Sequence, residues 1–219
     1  MWNWIRDLAG LGKNNYVHPT ALISAKAILG KGNFIGPFCV VGSGVVMGDG
    51  NVLDSYVSVG RPAEKHGFMK SKPGAVVIGH RNIFREFVTV NAGTTGTTSV
   101  GDDCVFLKGS HAGHDCRIES GVTVSCSALI GGESLVMRGA NLGLGCAIHQ
   151  RSVIGSFAML GMNSTKTKTS PVRPGIVYAG SPCRELRPNK VGLERASVSN
   201  KDFEDENVRY EFFRSRGLT

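Results

Sequence analysis

Aliphatic residues recur at every sixth position along most of this chain. One register runs through Val17, Ile23, Leu29, Ile35, Val41, Met47, Leu53 and Val59. It resumes at Ile78, Phe84 and Val90, and again at Val100, Phe106, Ala112, Ile118, Val124, Ile130, Val136, Leu142, Ile148, Ile154 and Leu160. Glycine often follows, as at Gly36, Gly42, Gly48, Gly60, Gly79, Gly101, Gly143, Gly155 and Gly161, and the fifth place of each six is small, as at Cys39, Ala128, Ser134, Ala140, Cys146, Ser152 and Ala158. A period of six fits neither the 3.6 of a helix nor the 2 of a half-buried strand. It predicts a parallel β-helix of hexapeptide repeats, each a short strand and a tight turn. The aliphatic side chain fills the prism, the small one fits where walls converge, and glycine or a polar residue takes the corner. Three sixes close one coil, so roughly seven stacked coils are expected. A β-sandwich would show period-two alternation with turns every eight to twelve residues or so.

The pattern divides the chain into an N-terminal cap over 1–16, the repeat domain over 17–165 and a C-terminal extension over 166–219. Two interruptions, at 61–77 and 92–99, are expected as loops. The first carries Lys65, His66, Lys70 and Lys72; the second is rich in Gly and Thr. Met1–Gly12 holds Trp2, Trp4, Ile5, Leu8 and Leu11 without an unbroken apolar stretch, which fits a cap and neither a signal peptide nor a membrane span. Beyond Thr165 the register dissolves, and Ser199 to Gly217 reads as a short helix, with Phe203, Tyr210 and Arg214 at helical spacing and acids early, arginines late. The class is therefore all-β with a short helical tail.

The six cysteines form no metal-spaced pairs, and Cys39, Cys104, Cys116 and Cys146 fall in the small inward slot. Buried free thiols suit a reducing, cytoplasmic compartment. The formal charge of +8 favours an acidic partner. It is spread along the chain without a basic stripe or interleaved aromatics, so nucleic acid is not the expected partner.

Candidate chemistry centres on His111 and His114 in Gly109-Ser110-His111-Ala112-Gly113-His114-Asp115-Cys116. With Ala112 facing inward, His114 projects at a corner beside Asp115. A neutral histidine there can act as general base, or both histidines are ordinary polar corner residues.

Several strings carry a resemblance. They are Val17-His18-Pro19-Thr20-Ala21, Ile35 to Gly42, Ile78-Gly79, Arg81-Asn82, Arg85-Glu86, Val88-Thr89-Val90, the His111 to Cys116 string, Ile148-His149-Gln150, Asn189, Gly192-Leu193 and Arg195. Together they resemble the UDP-N-acetylglucosamine 3-O-acyltransferases of lipid A biosynthesis, over Val17 to about Arg195. The resemblance implies a left-handed β-helix, a homotrimer, and acyl transfer from an acyl-carrier-protein thioester to a nucleotide sugar, with no metal or other cofactor. It implies His114 as base, Asp115 as its orienting partner and Gly132 as the oxyanion donor. It also places His111, His149 and Gln150 in the substrate pocket, Asn189 and Arg195 on the nucleotide, and Met162 where acyl length is gauged.

The departures concern the acceptor. Asn91 and Glu133 stand as substrate-binding residues where the family places histidines, Ala196 stands where it has a second arginine, and the C-terminal domain is shortened. The acceptor group, hydroxyl or amine, is left open. So is the donor: Lys166, Lys168 and Arg173 suit an acidic carrier or the phosphates of CoA, and a CoA-dependent nucleotide-sugar N-acyltransferase is the alternative function. A γ-type carbonic anhydrase needs three histidines converging on zinc, and an inactive trimeric scaffold needs none of this chemistry.

Overall fold

The structure, a computed structural model, describes residues 12–64 and 74–218. The expected cap residues Trp2, Trp4, Ile5, Leu8 and Leu11 lie outside the described residues, as do Lys65, His66, Lys70 and Lys72. From Tyr16–Val17 to Thr165–Lys166 the chain alternates short strands with tight turns. Ile118 pairs with Val136 and Val136 with Ile154, in parallel, so one coil takes 18 residues. The faces of the prism are sheets of ten, eight and seven strands.

The inward positions follow the six-residue register. Ile35, Leu53, Phe84, Phe106, Val124, Leu142 and Leu160 are all fully buried in one column of the core, and the Phe84 and Phe106 rings stack at 5.0 Å. Truncating either ring to alanine would cost about 3–5 kcal/mol by the usual cavity penalty. Glycine after the aliphatic residue allows coils to touch: a Cβ on Gly42 would lie 2.3 Å from the Gly60 carbonyl oxygen.

Two features of the core and corners go beyond the pattern. Asn33, Asn51 and Asn82 occupy buried inward slots on successive coils and bond as a ladder, Asn82 Nδ2 to Asn51 Oδ1 at 3.0 Å and Asn51 Nδ2 to Asn33 Oδ1 at 3.1 Å. Along one edge, successive corners expected to be glycine or polar carry aromatics at positive φ, at Phe38 (58°), Tyr56 (60°) and Phe87 (63°). Their rings stack at 4.9 and 5.1 Å. Stacking between coils, about 0.5–1.5 kcal/mol per pair, offsets the left-handed backbone.

The solenoid differs from expectation at its interruptions and its end. Strands Ser58–Arg61 and Ala75–Ile78 take up both ends of the first expected loop, and strand Thr97–Val100 takes up the end of the second, which narrows to 92–96. The stack also passes residue 165. Ile176–Ala179 pairs in parallel with Met159–Leu160, giving nine parallel strands on the ten-stranded face rather than seven coils. Arg184–Pro188 closes that face in antiparallel. Here the core is built from Lys166, Val172, Tyr178 and Cys183, which break the aliphatic register while remaining buried.

Two helices follow, Lys190–Arg195 and Asn200–Ser215, the second capped by Ser199, whose side chain accepts from Asp202 N. The longer helix packs on the outside of the seven-stranded face. Tyr210 is buried with Leu135, Met137 and Val153, and its hydroxyl accepts from Val172 N at 3.1 Å. Buried Glu206 receives Ser156, Arg138 and Arg209, and Arg209 also reaches Glu119 at 2.6 Å. The tail is thus fastened along the flank of its own solenoid.

Candidate active site

Strand His111–Ala112 belongs to the eight-stranded face, with Ala112 inside and His111 outside. Gly113 and His114 then turn the corner towards strand Arg117–Ile118 of the seven-stranded face. Asp115 occupies the corner with φ 57°, and its amide donates to Thr98 Oγ1 at 2.8 Å. Its carboxylate accepts from Thr94 N, Thr94 Oγ1 and Gly96 N at 2.7–3.0 Å, and from His114 Nδ1 at 2.8 Å. Burial by itself would raise this carboxyl, but the hydrogen bonds from Thr94, His114 and Gly96 outweigh it and hold it down at about 2. The acceptor-only carboxylate fixes the Nδ1–H tautomer of neutral His114 and leaves Nε2 free to accept a proton.

The imidazole lies against Gly132 of the next coil. A Cβ there would stand 2.7 Å from His114 Nε2, so only glycine leaves room for the ring. The Gly132 N–H donates to no acceptor among the described residues. A proton acceptor and an unused backbone donor thus meet at one corner, as carbonyl addition requires.

Both border a groove of about 440 Å³ that spans three coils of the eight-stranded face. His111, Leu129 and Ala147 are its outward rungs, in register. His111 Nδ1 and Thr89 Oγ1 are hydrogen-bonded at 2.7 Å. Burial lowers the His111 imidazole below its ordinary value; the Glu64 charge acts in the opposite sense and His114 adds to the lowering. His149 Nδ1 donates to the Gln150 carbonyl at 2.8 Å, and both residues line the groove. Asn91 and Glu64 complete it.

Of the residues singled out in the sequence, His111, His114, Gly132, His149, Gln150 and Asn91 come together here. Others do not line the groove. Glu133 turns away to pair with Arg151 of the next coil at 2.9 and 3.2 Å. Asn189 is buried as the N-cap of the first helix and donates to the Phe157 carbonyl at 2.8 Å. Arg195 is exposed at that helix's last turn. Met162 is 68% exposed at the opposite corner of the eight-stranded face, one coil beyond Leu144. Lys166, expected to meet an acidic partner, is fully buried with Nζ donating to the Thr167 carbonyl at 2.6 Å, because it fills an inward slot where an aliphatic residue stood in earlier coils. Arg173 pairs with Glu185.

Sequence reasoning missed Glu64, which belongs to an interruption without repeat register, and Thr94, Thr98 and Gly96. Thr94 and Gly96 make the second interruption a cradle for the Asp115 carboxylate, and Thr98 Oγ1 accepts from the Asp115 amide. Among the described residues no three His, Cys, Asp or Glu side chains are grouped to hold a metal ion, and no helix is long and apolar enough to cross a membrane.

No family model matches the chain. It is 34% identical over 148 residues to the acyl-[acyl-carrier-protein]–UDP-N-acetylglucosamine O-acyltransferase of Burkholderia mallei, covering 66% of this chain and 55% of that one. It is 35% identical over 168 residues to the protein of the same name from Paraburkholderia phymatum, covering 75% and 63%. The chain therefore spans between about half and two thirds of these relatives' length. Among solved structures it superimposes on LpxA, a UDP-N-acetylglucosamine acyltransferase from Bacteroides fragilis, with TM-score 0.72 and 26% identity, over 93% of this chain and 86% of that one. The Arabidopsis UDP-N-acetylglucosamine acyltransferase shares the fold, with TM-score 0.66 and 22% identity over 89% and 81%. The resemblance read from the sequence thus holds in sequence and in architecture, and the fold is the left-handed parallel β-helix of that group.

Proposed function

We propose that this relative of the UDP-N-acetylglucosamine O-acyltransferases is itself an acyltransferase, moving an acyl group from a carrier-protein thioester to a nucleotide-linked N-acetylglucosamine-type sugar. The observation that carries the reading is the His114–Asp115 pair facing the Gly132 amide across the mouth of the groove. His114 Nε2 takes the proton of the acceptor group as that group attacks the thioester carbonyl. Negative charge gathers on the carbonyl oxygen, where the Gly132 N–H is placed to receive it. Collapse expels the thiolate, and the imidazolium returns the proton to sulfur. No covalent enzyme intermediate is required, because the thioester is already activated.

His111, His149 and Gln150 position substrate along the groove. The groove is open to one side in a single chain, and Met162 and Arg195 are exposed. Both features support a homotrimer in which a second copy closes the site and supplies contacts to the nucleotide and the acyl chain. Six free cysteines support a reducing, cytoplasmic setting. With Lys166 buried and Arg173 paired, Lys168 is the remaining candidate of the three to meet an acidic carrier.

The test is His114→Ala, assayed with acyl-carrier-protein and CoA thioesters and UDP-N-acetylglucosamine. Turnover should fall by the ~10²–10⁴-fold typical of a lost general base, with the β-sheet spectrum and solution mass unchanged. Full activity in that variant would remove His114 from the mechanism.

A further inference from the structure

We infer that the N-terminal end of the prism is a docking surface for an anionic lipid bilayer, met end-on by the first coil. The inference concerns the end of the solenoid away from the His114 groove and does not rest on the acyl-transfer reading.

The first observation is what the first coil turns outward. Tyr16, Leu22 and Ile28 each precede an inward aliphatic residue, so they face out on the ten-, eight- and seven-stranded faces in turn. They are 50%, 68% and 54% exposed. On every face later coils place polar residues at the outward position, as at Ser58 and Thr89, Ser99 and Arg117, and Thr123 and Asn141. The second coil continues the apolar surface, with Phe34 stacked on Tyr16 at 4.8 Å and exposed Val46 beside Ile28. A lone exposed leucine needs no explanation, but a contiguous apolar band marks an interaction site.

The second observation is that the band is a girdle. It runs round all three faces at one level. Copies of the chain packed about a threefold axis bury two faces of each prism and leave the third in water. A bilayer entered end-on surrounds the whole circumference. Apolar groups at a lipid interface sink about 5–10 Å, and stacked coils are about 4.8 Å apart. That depth takes in the first coil and reaches the second, where the exposed apolar residues lie.

The third observation is charge. From Gly12 to Gly48 the chain carries Lys13, Lys26 and Lys31 and no Asp or Glu. The three lysines are exposed, and none is ion-paired among the described residues. The first acid beyond them, Asp49, accepts from Lys31 N at 2.7 Å and faces His80. Lysine is depleted where proteins bury a surface against each other. Beside an apolar band at a bilayer, its long stem lies along the apolar surface while the ammonium reaches lipid phosphates. The girdle thus supplies contact with the acyl boundary, and the lysines select anionic headgroups.

The experiment measures co-sedimentation of the full-length protein with vesicles of phosphatidylcholine alone and of equal parts phosphatidylcholine and phosphatidylglycerol, at low and high salt. The wild type should bind the anionic vesicles about tenfold or more over the neutral ones, and the difference should shrink as salt rises. Lys26→Gln with Lys31→Gln should lower that binding by about fivefold per lysine. Leu22→Asn with Ile28→Asn, at exposed positions, should lower it by about tenfold or more, with the β-sheet spectrum and solution mass of the wild type. Wild-type protein that ignores anionic vesicles, or that binds them undiminished in either variant, overturns the inference. So does a Leu22→Asn, Ile28→Asn protein of lower solution mass, which would assign the girdle to a second copy of the chain.

Discussion

The Asp115 carboxylate sits 2.8 Å from His114 Nδ1 and is itself held by three donors from the short Thr94–Gly96 segment. The two residues are adjacent in sequence, but their arrangement is not local. The Asp115 backbone lies in the left-handed region at a corner, and the donors come from the coil before it. The orientation of the base therefore depends on a segment that breaks the repeat.

Thr94→Val tests that dependence. It removes the 2.7 Å hydroxyl donor and leaves the amides of Thr94 and Gly96. The folded Asp115 pKa, about 2 in the wild type, should rise towards the unfolded value. A depressed carboxylate contributes stability that is present above about pH 4 and lost as pH falls through the folded value. The wild type should therefore shed on the order of 2 kcal/mol between about pH 4 and pH 2, and Thr94→Val should shed less. Equilibrium unfolding against pH checks this, and kcat should drop several-fold as the imidazole loses its fixed tautomer.

Lys166 gives a prediction of opposite sign. Burial pushes its ammonium down to about 8, and the remaining shifts from Cys183 and Arg214 are smaller. Between the folded value near 8 and an unfolded value of about 10.4, the unfolded chain binds more protons, so stability rises with pH across that window. Below it the penalty is fully present, about 3 kcal/mol by the size of the shift. Lys166→Met should raise the denaturation midpoint at pH 7 and abolish the alkaline rise. A destabilised Met variant would show that the Thr167 carbonyl contact outweighs the burial of the charge.

Tyr210 fastens the C-terminal helix. Tyr210→Phe removes only the bond to Val172 N and should cost about 1 kcal/mol. Tyr210→Ala empties the contact with Leu135, Met137 and Val153 and should cost about 3–5 kcal/mol. Limited proteolysis should then cut near the helix while the solenoid stays resistant. Equal losses from the two variants would mean the ring contributes little.

Met162 stands 68% exposed at the far corner of the face that carries the groove. Its flexible side chain would occupy space that a glycine leaves open. In an assay with acyl donors of graded length, the wild type should favour short or medium chains, and Met162→Gly should shift the optimum to longer ones with little change in melting temperature. An unmoved length profile would detach Met162 from acyl selection.

Sequence by itself determined the prism. A six-residue period of aliphatic, glycine and small residues has no low-energy solution other than short parallel strands turning corners, and every coil repeats the same instruction. It also determined which corner carries His114, because Ala112 must face inward and the alternation then sends the histidine out. What it did not determine lies where that instruction lapses. The aliphatic register ends at Leu160, so Lys166 reads as a surface charge, yet Ile176–Ala179 continues the stack and Lys166 is buried. Glu133 and Asn189 were read as substrate contacts, but Arg151 one coil away and the Phe157 carbonyl claim them. Glu64 and the Thr94–Gly96 cradle were invisible because they reach the site from interruptions, whose positions in space depend on which coils they leave and rejoin. Only the tertiary structure decides such contacts, since residues 18 to 31 apart become neighbours through stacking and not through any local pattern.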